Sequence, residues 1–288
     1  MPAGASQSSK SATIHSVVVA VRILEFLAER GGPQRVTDIA DQLGMTKART
    51  SRHLTTLADL GLVARMPDSS GYRLGSALFR LANSAAEQYE IINVADGIMR
   101  NLRDTIREAV VLAIPAGREA LIVNSLGSGK PLTPKISLGS RYSIPDSPTA
   151  WVLLAFAQEA ARERAILDLS EVSRSPSGRE LDAAAMRTRC ESIRQNFYEF
   201  ALDPHDAGFS VLSMPVFNHR EEIEGAMTVV MRRLPERDLT SIPLREELGD
   251  AVLEVSKTIG SVALASEMAS ALSRNATVEV RRAKYPAV

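Results

Sequence analysis

The sequence predicts an α+β chain in two parts: a winged helix-turn-helix head at the N-terminus and a larger body that mixes strands with helices. Three observations carry this. Residues 45–60, MTKARTSRHLTTLADL, set Lys47, Arg49 and Arg52 in less than two helical turns, while Thr50, Leu54 and Leu57 recur at helical spacing. A short, glycine-ended helical segment precedes that stretch, and a short hairpin follows it. Further on, apolar runs joined by tight polar turns alternate with helix-patterned segments.

In the head, residues 14–29 read as a helix with Val17, Val21, Leu24, Leu27 and Ala28 on one stripe, closed by Gly31-Gly32-Pro33. Thr37 is placed to cap the next helix, DIADQLG, whose Ile39, Ala40 and Leu43 share a face and whose stop is Gly44. Thr46 is placed to cap the basic helix, which Gly61 closes. A short strand (62–65), a turn (67–71) and a second short strand (72–74) then form a wing that ends at Gly75. One face of the basic helix docks on its own domain and the other suits phosphates and base edges. The candidate DNA-binding residues are Thr37, Thr46, Lys47, Arg49, Thr50, Arg52, Arg65 and Arg73. Within that set Thr50 shares the docking stripe with Leu54 and Leu57, and His53 lies at its edge as a half-buried structural residue. A solvated basic helix in an ordinary three-helix bundle is the plainer alternative. The ordered series of cap, glycine turn, basic helix and hairpin favours DNA.

The 288 residues suffice for two domains, and 45% of them are hydrophobic, so a sizeable core is available. Net charge is zero, which argues against a protein that coats nucleic acid over its whole surface. The charge is divided unevenly: residues 1–82 carry ten basic and six acidic side chains, and the remainder carries 24 and 28. A basic head on an acidic body suits a head that meets phosphate. Cys190 is the sole cysteine, so an intrachain disulfide and a cysteine metal cluster are excluded and a reducing cytoplasm fits. The opening MPAGASQSSKSAT has no apolar core and reads as a disordered tail over 1–12, not as a signal peptide. The apolar runs are too short to span a bilayer.

Residues 76–92 read as a linker helix without a Gly/Ser-rich break, and 94–108 as a further helix. In the body (93–270), strands are expected at 109–114 and 120–125 around PAGRE, with an extended piece at 131–138. The loop SIPDSP opens a helix with Ser147 as cap and Pro148 near its first position. Helices at 160–169 and 179–196 flank a polar loop at 171–178. Strands at 209–217 and 223–232 are joined by NHRE, and one long helix over 243–268 closes the body before a loose tail at 271–288. Such folds with a loop-covered face often hold a small ligand.

The series SVVVAVRILEFL, VTDIADQLGMTKARTSRHLTTLADLGLVAR, GYRLG, GFSVLSMPVF and GAMTVVM resembles the IclR family of bacterial transcriptional regulators over about residues 13–270. The resemblance implies a GAF-like effector-binding body, dimers or dimers of dimers, and DNA binding controlled by a small metabolite. Members are often local repressors or activators of catabolic operons. In relatives that bind small oxo-acids, the resemblance places an Asp, a Cys and two Ser in the pocket. The matching positions here are Ala201, Val211, Thr228 and Val230, so that three polar groups are apolar. The family's T-A-x-G-K-A pattern is Thr149-Ala150-Trp151-Val152-Leu153-Leu154, without its Gly and Lys. The candidate effector set is Ser147, Thr149, Ala150, Ala201, Val211, Ser213, Thr228 and Val230. A carboxylate needs donors, so this pocket is expected to refuse glyoxylate- and pyruvate-like acids and to take a larger, more apolar effector, or none.

The competing reading is an enzyme or metal-binding α/β domain with an accessory DNA-binding head. Its one compact cluster is Asp203, His205 and Asp206 in LDPHDAG, which is also ordinary turn chemistry. Ser210 and Ser213 stand near it on a strand, and no nucleophile is evident. Gly127-Ser128-Gly129-Lys130 is too short for a phosphate loop, and Cys190 suits packing. The sequence therefore leads to a sequence-specific DNA-binding regulator with no catalytic residue, metal or cofactor. Its expected partners are double-stranded operator DNA, a small-molecule effector and a second copy of itself, with no membrane.

Overall fold

A computed structural model describes residues 13–67, 71–130, 136–171, 182–202, 208–232 and 242–274. The chain divides into two compact units, Met1–Gln88 and Tyr89–Val288.

The first unit opens with α1 (His15–Arg30), which ends where Gly31 turns left-handed at φ 64°. It buries Val19, Ile23, Phe26 and Leu27. The expected stripe is therefore corrected: Val17 and Val21 are 57% and 47% exposed. The start of α1 is apolar nearly all round, so periodicity alone allowed two stripes, and packing against the rest of the head selects one. A two-residue strand β1 (Gln34–Arg35) leads directly into α2 (Val36–Leu43). Arg35 is extended by its pairing with Gly71, so the helix begins one residue before Thr37 and has no side-chain cap. Thr37 thus lies inside α2, its hydroxyl donating to Asp38 Oδ1 at 3.1 Å. Gly44 ends α2 at φ 63° as expected. Thr46 caps α3 (Lys47–Asp59) by accepting from the Arg49 N–H at 3.4 Å. Strands β2 (Val63–Arg65) and β3 (Gly71–Leu74) form the wing in antiparallel register, Arg65 opposite Tyr72. Gly75 is required there, because a Cβ would stand 2.1 Å from the Gly61 carbonyl oxygen. Helix α4 (Ala77–Ala86) follows and buries no side chain.

The second unit begins with α5 (Glu90–Ile106), β4 (Ala109–Ala116) and β5 (Glu119–Leu126). A short strand β6 (Arg141–Ser143), not anticipated from sequence, comes next. Then come α6 (Pro148–Phe156), α7 (Glu159–Glu171), α8 (Ala183–Asn196) and β7 (Glu199–Leu202). Helix α8 is capped by Asp182, whose carboxylate accepts from the Ala185 N–H at 2.7 Å. Strands β8 (Phe209–Phe217) and β9 (Ile223–Arg232) form the expected hairpin. The expected long closing helix is two helices, α9 (Ile242–Thr258) and α10 (Ala263–Arg274), separated where Gly260 takes φ 93°.

The six strands form one antiparallel sheet in the order β6-β5-β4-β9-β8-β7. Its two faces differ. One carries Val110, Leu112, Ile114, Leu212, Met214, Met227, Val229 and Met231 against α5, α9 and α10. The other carries mostly small residues, among them Ala113, Ala226, Ser213 and Thr228, against α6, with α7 and α8 outside it.

Glu221, at the β8–β9 turn, ties the sheet to α10. Its carboxylate accepts from the N–H groups of Val262, Ala263 and Leu264 at 2.8–3.0 Å and from the Ser261 hydroxyl at 2.7 Å. The Val262 bond first, then the Ser261 hydroxyl and the remaining N–H groups, hold its pKa down to about 2 from an ordinary 4.5. That contribution is whole above pH 4.5 and vanishes as pH falls through about 2. Glu221→Ala is expected to cost about 1 kcal/mol at pH 7, the worth of a helix cap. Urea unfolding followed by Trp151, the single tryptophan, is expected to show the gap between wild type and variant narrowing below pH 4.5.

Candidate nucleic-acid interface and ligand site

The inner side of α3 is set by Leu54 and Leu57, buried with Ile23 and Ile39. Thr50 belongs to that side: it is fully buried, and its hydroxyl donates to the Thr46 carbonyl oxygen at 3.1 Å. Its place among the candidate DNA contacts is therefore corrected, since a buried hydroxyl committed to its own helix does not reach a base edge. Lys47, Arg49 and Arg52 are exposed. The outer surface also offers Thr55 and Thr56, whose hydroxyls bond back to Ser51 and Arg52 carbonyls. The sequence reading did not single these two out, although their spacing from Arg52 carries the signal. Thr46 is exposed, but its hydroxyl oxygen is engaged in the cap. Thr37 is half-buried on α2. On the wing, Arg65 and Arg73 are exposed, and Arg73 stands opposite Ala64. His53 is half-buried as expected; burial first, then the charges of Arg49, Arg52 and His15, lower its pKa below 6.5 and favour the neutral imidazole. Beside it α1 and α3 enclose an apolar groove of about 580 Å³ lined by Val17, Val21, Leu24, Leu57 and Leu60.

In the second unit the sheet gathers most of the candidate effector residues on the α6 side. Ser147 caps α6, its oxygen accepting from the Ala150 N–H at 3.2 Å. Thr149, on the first turn, bonds Thr228 at 3.0 Å, and Thr228 donates to Ser213 at 2.8 Å. These three hydroxyls form a buried chain from helix to sheet. One pleat along, Ala201, Val211, Val230 and Ala109 lie directly opposite one another across β7, β8, β9 and β4. That row is apolar throughout, and Val211 is only half-buried. Ala150 is buried at the helix start.

Two residues that the sequence does not single out, Glu199 and Arg189, adjoin this surface. Glu199 lies two residues before Ala201 and directly opposite Ser213. Arg189 on α8 donates from Nε to Glu199 Oε1 at 2.9 Å and from Nη2 to the same oxygen. Its guanidinium lies 4.4 Å from the centre of the Trp151 ring, whose Nε1 donates to the Pro145 carbonyl oxygen at 2.9 Å. Period-two spacing from Ala201 marks Glu199 in the sequence, whereas nothing local marks Arg189.

Asp203, His205 and Asp206 lie outside the described residues. Among the described residues no group of three or more His, Cys, Asp or Glu is placed to hold a metal ion, and no helix is long and apolar enough to cross a membrane. Cys190 is buried, and that burial pushes its thiol up to about 11, which disfavours thiolate chemistry.

Two family models match this chain: the IclR helix-turn-helix domain over residues 16–67 and the bacterial transcriptional regulator IclR C-terminal domain over residues 83–257. The HTH-type transcriptional regulator XynR of Escherichia coli is 23% identical over 249 residues, covering 86% of this chain and 98% of that protein. A crystal structure of an IclR transcriptional regulator from Alicyclobacillus acidocaldarius superposes with a TM-score of 0.71 at 20% identity, covering 86% of this chain and all (100%) of that one. An IclR homologue from Microbacterium hydrocarbonoxydans complexed with 4-hydroxybenzoate superposes with a TM-score of 0.70 at 20% identity, covering 88% and 99%.

The two sides of α3 make opposite expectations. Arg52→Ala is expected to lower affinity for the DNA upstream of its own gene by about ten- to a hundredfold, roughly 1–3 kcal/mol. Thr50→Val is expected to leave sequence preference unchanged, as fluorescence anisotropy on matched and scrambled DNA would report.

Proposed function

This chain belongs to the IclR family of bacterial transcriptional regulators, a DNA-binding regulator with an effector-binding C-terminal unit, and we propose that it acts as a self-paired reader of a two-part operator, switched by an apolar effector. The similar curated proteins are regulators, which sets the enzyme alternative aside. In this reading the Lys47, Arg49 and Arg52 side of α3 enters the major groove and the wing arginines Arg65 and Arg73 lie on flanking phosphate. Two such helices reach half-sites about one helical turn, or a multiple of it, apart.

Support for pairing comes from apolar side chains that the first unit does not use. Ile14 just before α1, Val17 and Val21 on it and Leu60 after α3 are exposed, as are Phe79 and Leu81 on α4. Side chains of this kind favour burial against a second copy. Phe79→Glu is expected to shift sedimentation toward the monomer and to weaken operator binding with it; an unchanged sedimentation coefficient would contradict the α4 contact.

The observation that carries the effector reading is the row Ala201, Val211, Val230 and Ala109. It offers no side-chain donor at three of the positions where oxo-acid-binding relatives place polar groups, and the Ala150 N–H at the start of α6 is already given to Ser147. A carboxylate seated there loses its water without compensation, at a cost of several kcal/mol. Calorimetric titration is expected to show no micromolar binding of glyoxylate or pyruvate. Micromolar binding of either acid, lost on substitution of Val211, would overturn this reading.

A further inference from the structure

Helix α3 exposes three basic side chains, yet they do not share one line. At about 100° of turn per residue, the buried Thr50, Leu54 and Leu57 define the inward direction. Ala48, Arg52, Thr55 and Asp59 lie opposite them, and all four are exposed. Arg49 and Thr56 stand about 50–70° off that outer line, on the flank that meets α1, where both line the groove with Val17 and Val21. Arg52 borders the groove as well, but within about 15° of the outer line. Lys47, the first residue of the helix, is on the other flank.

The outer line has a definite chemistry. The Ala48 side chain has neither donor nor acceptor and offers only a methyl. The Thr55 hydroxyl donates its proton to the Ser51 carbonyl oxygen at 3.0 Å, which leaves this side chain a methyl and no proton to give. Arg52 is the residue of the line that carries donors. In the major groove the paired acceptors that suit a guanidinium are O6 and N7 of guanine, and the group that suits a methyl is the C5-methyl of thymine. Ala48 and Thr55 are about 10 Å apart along the axis, or about three base-pair steps. Asp59, one turn further on, is acidic and ends the stretch that phosphate-lined DNA tolerates.

We propose that α3 reads its half-site through Ala48, Arg52 and Thr55, with Arg52 on a guanine and the methyls of Ala48 and Thr55 on thymines to either side of it. Lys47 and Arg49, on the flanks, hold phosphates and carry no base preference. The half-site is therefore a block of about four base pairs, with the guanine inside it and a thymine, on either strand, toward each end. This rests on the reading above that α3 enters the major groove. It divides that side of the helix into one arginine that specifies sequence and two cations that set affinity.

The test uses the full chain in two steps. Selection from a pool of random DNA duplexes is expected to enrich a block with a guanine flanked by thymines. Anisotropy then compares the enriched duplex with copies in which one thymine is replaced by deoxyuridine, a change that removes only the methyl. Replacing either flanking thymine is expected to weaken wild-type binding about fourfold, the worth of one buried carbon. Thr55→Ser keeps the hydroxyl and drops the methyl, and is expected to become insensitive to one replacement while staying sensitive to the other. Arg52→Ala is expected to lose the guanine preference on reselection. Arg49→Ala is expected to weaken every duplex alike and to keep the selected sequence, with circular dichroism confirming the fold of each variant. The proposal is overturned by an enriched block without guanine, by wild-type binding indifferent to both replacements, by Thr55→Ser sensitive to both, or by an altered base preference in Arg49→Ala. In each of those cases a sequence is still enriched, and the reading of α3 as a groove helix stands. A pool that stays random overturns both.

Discussion

Strand β9 lies between β4 and β8, and its alternation decides what each side of the second unit can become. Met227, Val229 and Met231 point one way, into the layer formed with α5, α9 and α10. Each large side chain fully buried there contributes about 1.5–3 kcal/mol. Ala226, Thr228 and Val230 point the other way, and α6 comes close enough for Thr149 to bond Thr228. The opposite face is packed as well, by a second core that includes Trp151, Ile166 and Ile193. Small residues there leave the row from Ala201 to Ala109 without a polar side chain. A slip of one residue in β9 would exchange the two faces and abolish both properties.

The first unit depends on an equally local arrangement. Gly44 reverses the chain after α2, Thr46 caps α3, and Thr50 and Leu54 hold the helix inward, so Lys47, Arg49 and Arg52 face outward without being selected individually. The wing is anchored where Gly75 meets Gly61, a contact that no residue with a Cβ could make. The basic side chains thus stand on elements whose geometry is set by glycines, one cap and a small apolar core. That rigidity is what a base-reading helix requires.

Much of this was legible in the sequence. The order of helices and wing in the head, the Thr46 cap, the Ser147 cap with Pro148 beside it, and both main hairpins follow from turn residues and periodicity, which are local signals. What was misread depended on partners distant in the chain. Thr37 is denied the cap because Arg35 pairs with Gly71, far ahead in the sequence. Val17 and Val21 lie outside because α1 is apolar on two sides and only packing chooses between them. The closing helix breaks at Gly260, where Glu221, some forty residues earlier, supplies the cap for its second half. Thr149 and Thr228 enter the candidate effector set by resemblance, whereas Arg189 was invisible because nothing near it in the chain reveals that α8 brings it to Glu199.

In the proposed function the small-residue face of the sheet in the second unit governs DNA binding by the first. That coupling is tested most directly by filling that face without a ligand: Val211→Trp places an indole on the row that Ala201 and Val230 share. The affinity of this variant for its operator, measured by anisotropy with the fold verified by circular dichroism, is expected to differ from wild type by at least about fivefold, the lower end of ordinary allosteric coupling. A folded Val211→Trp protein with the DNA affinity of wild type would contradict the account.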